Sequence, residues 1–116
     1  MIGYKLTDEK DQTYGGCQWG EGIENTAPGT GEMCGPGWIH WYSTPLLAAM
    51  MNPAHAGFKF PRLWEIEASE PGRSDGTKCG SVLVRTIRRI ALPAPTNAQR
   101  VRFAILCAIA VCQSKK

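Results

Sequence analysis

The sequence predicts a single α+β domain: a small antiparallel or mixed sheet, a short helix after the third strand, and a buried helix at the C-terminal end. Three observations predict it. Residues 62–68 alternate between apolar and polar in the manner of a half-buried strand. Residues 81–92 form a longer run rich in β-branched side chains. Helix-start signals stand at only two places, Ser43-Thr44-Pro45 and Thr96-Asn97, so strands and helices do not alternate as in a βαβ protein. A chain of 116 residues is the size of one domain and can bury a modest core without disulfides.

The elements follow in order. Tyr4-Lys5-Leu6 reads as a short strand, and the charged stretch Thr7 to Gln12 as a turn. Thr13 to Trp19 reads as a second strand with Tyr14, Cys17 and Trp19 as packing groups. Eight glycines and two prolines between residues 15 and 37 leave no room for a long regular element. Trp38-Ile39-His40-Trp41-Tyr42 is aromatic and β-prone, the third strand.

Thr44 can cap a helix that opens with Pro45, and Leu46 to Met51 form its body. Asn52-Pro53 should end it, because proline disfavours α geometry in the residue before it. In Arg62 to Ala68, Trp64 and Ile66 point to the buried side and Glu65 and Glu67 to the other. Ser69 to Gly80 is turn-like. Ser81 to Leu92 is a strand with a bulge or an end expected near Arg88, where a charge falls among the apolar parity. After Pro93-Ala94-Pro95, Thr96 or Asn97 caps a last helix reaching about Gln113. Val101, Ile105, Ala108 and Cys112 form its apolar stripe, widened by Ala104, Ile109 and Val111. Being apolar nearly all round, this helix should be mostly buried or should meet a second copy of the chain.

Charge divides the chain unevenly. Residues 1–75 carry five basic and all ten acidic residues, whereas residues 76–116 carry eight basic residues and no acid. The second part therefore suits an acidic partner, unless the two parts neutralise each other. An overall basic chain is a poor mimic of DNA. The longest apolar run, Phe103 to Cys112, is half of what spans a bilayer, so no membrane association is expected. The N-terminal segment has no apolar core of a secretory signal, and a cytoplasmic location is expected.

No complete catalytic or metal site stands out, and neither metal nor cofactor is expected. Cys17, Cys34, His40 and Cys79 are zinc-ligand types, but they lack the close pairing of structural zinc sites. The remaining cysteines, Cys107 and Cys112, lie in an apolar helix as small hydrophobes. Cys34 and His40 have no obvious third group to orient the imidazole. Gly29-Thr30-Gly31 fits neither a P-loop nor a dinucleotide fingerprint. Glu65 and Glu67 share one face of a strand, which suits a solvated surface or, in a cleft, a general base. Arg85, Arg88, Arg89, Arg100 and Arg102 can form a basic patch for nucleic acid or a ribonucleoprotein, although no recognised nucleic-acid motif is present.

The order of several segments resembles a family of small phage and prophage domains of unknown function. The segments are Gly37-Trp38-Ile39-His40, Ser43-Thr44-Pro45, Trp64-Glu65-Ile66-Glu67-Ala68, Asp75-Gly76-Thr77-Lys78-Cys79 and Ser81 to Leu92, with Gln99-Arg100-Val101-Arg102-Phe103-Ala104 similar to family tails. The likeness covers roughly residues 4–92. Ile39 departs from the family's Gly-Phe-His segment, which takes the histidine out of the pattern.

The layout is also loosely similar to ADP-ribosyltransferase folds. Tyr4 or Lys5 would then take the early position and Tyr42, Ser43 or Thr44 the middle one. No acid follows Asp75 to take the late one. Such an enzyme, using nicotinamide dinucleotide, would need a cleft joining Tyr4, His40, Ser43 and Glu65 or Glu67.

The phage resemblance implies a binding protein of the anti-CRISPR kind that blocks a host defence protein or ribonucleoprotein complex. The contact residues expected are Arg85, Arg88, Arg89, Arg100 and Arg102, with Trp19, Trp38 and Trp41 as aromatic anchors, since Trp and Arg dominate binding hot spots. The alternatives are the ADP-ribosyltransferase-like enzyme and a nucleic-acid-binding module.

Overall fold

The structure, a computed structural model, describes residues 1–114, with backbone alone for Ala54 and residues 110–114. Lys115 and Lys116 of the basic part, and the Val111 and Cys112 side chains of the expected helical stripe, lie outside the described residues.

The protein is an α+β fold built on antiparallel strands. The strands are β1 (Ile2–Thr7), β2 (Gln12–Thr13), β3 (Cys17–Gln18), β4 (Glu24–Thr26), β5 (Ile39–Trp41), β6 (Arg62–Ala68), β7 (Arg73–Ser74), β8 (Cys79–Ser81) and β9 (Leu83–Ile90). Helix α1 (Pro45–His55) follows β5, and α2 (Asn97–Ser114) closes the chain. The main sheet has the order β1-β6-β9-β4, a second has β5-β8-β7, and β2 with β3 make a small hairpin. The two larger sheets are bridged where Tyr4 and Tyr42 exchange backbone hydrogen bonds of 2.8 and 2.7 Å, and Trp41 packs between them. Beyond that bridge the sheets part, and the gap between them becomes the site described below.

The strand at residues 62–68 has the expected bounds, and it is covered along one face and, at Leu63, on the other. Trp64, Ile66 and Ala68 pack with Trp19, Trp41 and Val84 on one side. Leu63 packs with Leu6, Tyr42, Ala48 and Met51 on the other, under α1. The bulge falls between Glu65 and Ile66, which pair with Arg88 and Thr86 and leave Ile87 as the extra residue of β9. Gly3 permits the sheets to approach: a Cβ there would run into the Trp41 ring.

Four sequence expectations need correction. Thr13 to Trp19 is not one strand. A single 3-10 turn, Tyr14–Gly16, interrupts it, with Gly15 at φ 74°. Within the glycine-rich stretch, Glu24–Thr26 still pairs with Leu83 to Arg85, because an edge strand needs only a few backbone bonds. The helix expected after the third strand is thus preceded by five.

Helix α1 does not stop at Asn52; it runs through Pro53 to His55. The Asn52 side chain exchanges hydrogen bonds with the backbone of Phe58, at 2.9 and 3.0 Å. Its carbonyl accepts from Ala56 and Gly57, so the last turn is clamped around the proline.

The fourth concerns α2. Its start is as expected: Thr96 Oγ1 accepts from Gln99 N–H at 3.1 Å, and Gln99 Oε1 from Thr96 N–H at 2.8 Å, a capping box. Its burial is not. Phe103 packs against the Leu6–Leu63 cluster, whereas Val101, Ile105, Leu106 and Ile109 are 59, 54, 55 and 47 % exposed. An apolar circumference cannot say which side docks, and a single bulky ring, Phe103, makes the described contact with the core.

Candidate functional site

Where the two sheets part, a cavity of about 280 Å³ opens between β1, β5, the 3-10 turn and the end of α1. Lys5 and Leu6 form its floor, His40, Tyr42 and Lys78 one wall, and Asn52, His55, Ala56 and Phe58 another, with Thr13 and Tyr14 at the mouth. Two lysines here are buried, Lys5 at 8 % and Lys78 at 9 % exposure. Among the described residues no carboxylate lines the cavity.

Lys5 sits on the inward parity of β1 with Gly3 and Thr7, opposite Trp64. Its Nζ donates to the His40 carbonyl at 2.7 Å and lies 5.4 Å from the Trp19 ring centre. Burial pushes its pKa down from 10.5 to about 8, with the Cys17 thiol opposing the shift. The amine is therefore partly neutral in mildly alkaline solution.

Each histidine ring is held by one hydrogen-bond partner. His40 Nε2–H donates to the Met33 carbonyl. The Tyr42 hydroxyl and His55 Nδ1 share a hydrogen bond of 2.6 Å, and the two rings stack at 5.9 Å. Both histidine pKa values are lowered, by burial first; the Met33 bond opposes the shift at His40 and Asp75 opposes it at His55, while Lys78 adds to both and Lys5 to His40. Tyr42 is pushed up to about 12 by burial and by Asp75. That carboxylate is already engaged. Its Oδ1 accepts from the Thr77 and Lys78 N–H groups, each at 2.8 Å, and from the Thr77 hydroxyl at 2.7 Å. These bonds outweigh its own desolvation and lower its pKa.

The residues singled out from sequence are placed as follows. Trp19 and Trp41 are 1 and 2 % exposed, so as docking anchors they are ruled out; they are core. Trp19 Nε1 bonds Thr13 Oγ1 and Trp41 Nε1 bonds Ser81 Oγ, both at 2.9 Å, which explains how the polar tips tolerate burial. Trp38 is half-buried. It bonds the Gly31 carbonyl at 3.1 Å, lies under Arg73 at 5.6 Å and packs so closely on Gly72 that a Cβ there would clash, so it fastens the glycine-rich loop.

Arg85 and Arg88 are exposed but partnered, Arg85 with Glu67 at 3.4 Å and Arg88 with Glu65 at 3.1 Å. Across β6 and β9 each of these cations faces a carboxylate at the surface, so they are less free than their sequence positions suggest. Arg89, Arg100 and Arg102 are exposed and make no ion pair among the described residues.

The zinc-type residues do not converge, and no group of three metal-ligating side chains forms among the described residues. Cys17, Cys34, Cys79 and Cys107 are free thiols. The transferase cleft is not assembled either. Of its four expected members, His40 alone lines the cavity, while Glu65 and Glu67 face their arginines.

Sequence reasoning missed Lys78, His55, Asn52 and Tyr14 as neighbours, because they converge from three separate segments: the 3-10 turn, the end of α1 and the turn before β8. One signal was present: a strand apolar on both parities, as at Leu63 and Trp64, implies a sheet covered on both faces, and so a buried Lys5 beside it.

No helix among the described residues is long and apolar enough to cross a membrane. Comparison with protein-family models, with curated proteins and with solved structures finds no match to this chain.

Proposed function

We propose that this chain is a non-enzymatic binding protein that docks through the outer face of α2 onto an acid-rimmed apolar surface of another protein assembly and occludes it. The carrying observation is the exposure of Val101, Ile105, Leu106 and Ile109 along successive turns of one helix. A contiguous apolar face left in water marks an interaction surface. Arg100 and Arg102 lie at the start of the same helix and are exposed, as is Arg89 on β9. This is a cationic border around an apolar strip, the arrangement of an interface with a polar rim. Charge complementarity then favours an acidic surface on the partner.

The likeness of residues 4–92 to small phage-borne domains supports a host defence complex as that partner, a guide-loaded CRISPR effector first, met in the bacterial cytoplasm. Arg85 and Arg88 take a secondary part in this reading, since each must leave a glutamate to engage a partner. Trp38 can contribute only the exposed part of its ring.

The test is co-elution of the purified chain with a guide-loaded effector complex, together with target cleavage. Co-elution and suppressed cleavage are expected, weakening with salt. Ile105→Asp and the double change Arg100→Glu with Arg102→Glu should each weaken binding by about tenfold or more. Failure to co-elute, or unchanged binding by both variants, rejects the reading. A mobility shift of guide RNA alone by the same protein would replace it with the nucleic-acid module. Self-association abolished by Ile105→Asp would assign the face to a second copy.

A further inference from the structure

We propose that the cavity between the two sheets is a binding site for a small phosphomonoester, its dianion held by Lys5 and Lys78 and its organic group covered by Tyr14. The inference is independent of the docking reading, since it uses other residues on another part of the molecule.

Three observations converge. First, two lysines are buried in one cavity without an ion pair among the described residues. Two ammonium groups converging on one cavity leave an excess of positive charge there that an anion can offset. Lys5 spends one of its three N–H donors on the His40 carbonyl and retains the others. Lys78 Nζ makes no hydrogen bond among the described residues and still reaches solvent, so its donors are open to a ligand. Second, Asp75 is close enough to Lys78 for the two charges to act on each other, but its Oδ1 already accepts three hydrogen bonds from its own turn and it does not line the cavity. The cavity is thus lined by cationic and neutral groups, including two histidines that can take up protons as an anion arrives. Lysines reaching in from two different elements suit a tetrahedral dianion, which accepts hydrogen bonds from several directions.

Third, Tyr14 lies at the mouth with its residue 98 % exposed, on a turn where Gly15 and Gly16 have φ of 74° and 76°. A ring left almost wholly in water beside a cavity is an unused contact surface, and it can stack on a planar group attached to the phosphate. The volume of about 280 Å³ sits near the lower end of ligand pockets, about 300–1,000 Å³, which limits the ligand to a phosphate carrying one small group.

The experiment is calorimetric titration of the whole chain with phenyl phosphate, inorganic phosphate and benzoate. Phenyl phosphate should bind at one site, more tightly than inorganic phosphate and about tenfold more tightly than benzoate. Lys78→Met should weaken phenyl phosphate by about tenfold. Tyr14→Ala should weaken phenyl phosphate several-fold and leave inorganic phosphate unchanged. Lys59→Met, on an exposed lysine outside the cavity, should change nothing. Lys78 and Tyr14 are chosen over Lys5 because loss of Lys5 risks the fold, and each variant's melting temperature is checked against the parent. The proposal is overturned by no saturable binding up to about 10 mM phenyl phosphate. Equal losses from Lys78→Met and Lys59→Met, or benzoate binding as tightly as phenyl phosphate, overturn it too.

Discussion

The sheet core and α2 are both rich in large apolar side chains, yet they use them in opposite ways. In the core, Trp19, Trp41 and Trp64 are buried, and each indole N–H has a hydroxyl partner: Thr13, Ser81 and Thr7. Trp38, half-buried on its loop, has the Gly31 carbonyl. In α2, aliphatic groups on successive turns stand half in water, and Phe103 supplies the described contact with the rest of the chain. The difference teaches that apolar content does not locate a core. What locates it here is the coupling of each large ring to a polar group that satisfies its tip, and of each ring to strands from distant parts of the chain.

The widest separation between the two regions should appear in stability. Trp41→Ala removes a buried ring and leaves Ser81 Oγ without the indole donor, and should lower the unfolding free energy by about 3–5 kcal/mol in a denaturant titration. Ile105→Ala, on the exposed face of α2, should stay within about 0.5 kcal/mol of the parent. Similar losses from the two would erase the contrast.

Next in size is a pH effect confined to the core side. Lys5 titrates at about 8 in the fold and at about 10.5 when unfolded, so between these values the unfolded chain binds more protons. Stability therefore rises with pH through that window, by something on the order of 3 kcal/mol if Lys5 acts alone. Above pH 10 the trend reverses, because Tyr42 keeps its proton to about 12 in the fold. Cys17, His40 and Trp19 face the same amine from β3, β5 and the chain after β3, and none of them is altered by Lys5→Met. Thermal melts of Lys5→Met should lack the alkaline rise; an unchanged rise would assign it elsewhere.

A smaller effect sharpens the account of α2. Thr96→Ala breaks the capping box and should cost about 1 kcal/mol if helix formation is coupled to the core through Phe103. Smallest of all, Arg88→Ala should leave the melting temperature unmoved in salt, since its pair with Glu65 is on the surface.

Local signals were legible in the sequence wherever one short segment determined the outcome. The alternation of residues 62–68, the Thr44-Pro45 start of α1, the Thr96 cap and the bulge opposite Arg88 depend on neighbours along the chain or on one strand partner. Burial was not legible where it depended on distant packing. Trp41 reads as an anchor and Trp19 both as an anchor and as a packing group, and only the meeting of β3, β5 and β6 puts both inside. Arg85 and Arg88 look unopposed because the acids that face them lie one strand away. The cavity was hidden for the same reason: Lys5, His55 and Lys78 are far apart in sequence, and the register of three sheets brings them together.

Amide hydrogen exchange on the free chain tests the division between core and docking helix most directly. The account predicts that amides of residues 101–109 exchange orders of magnitude faster than those of Leu63 to Ala68, and that they slow on addition of the effector complex. Protection of α2 equal to that of β6 in the free chain would contradict it, since the helix would then be part of a buried unit and not a surface waiting for a partner.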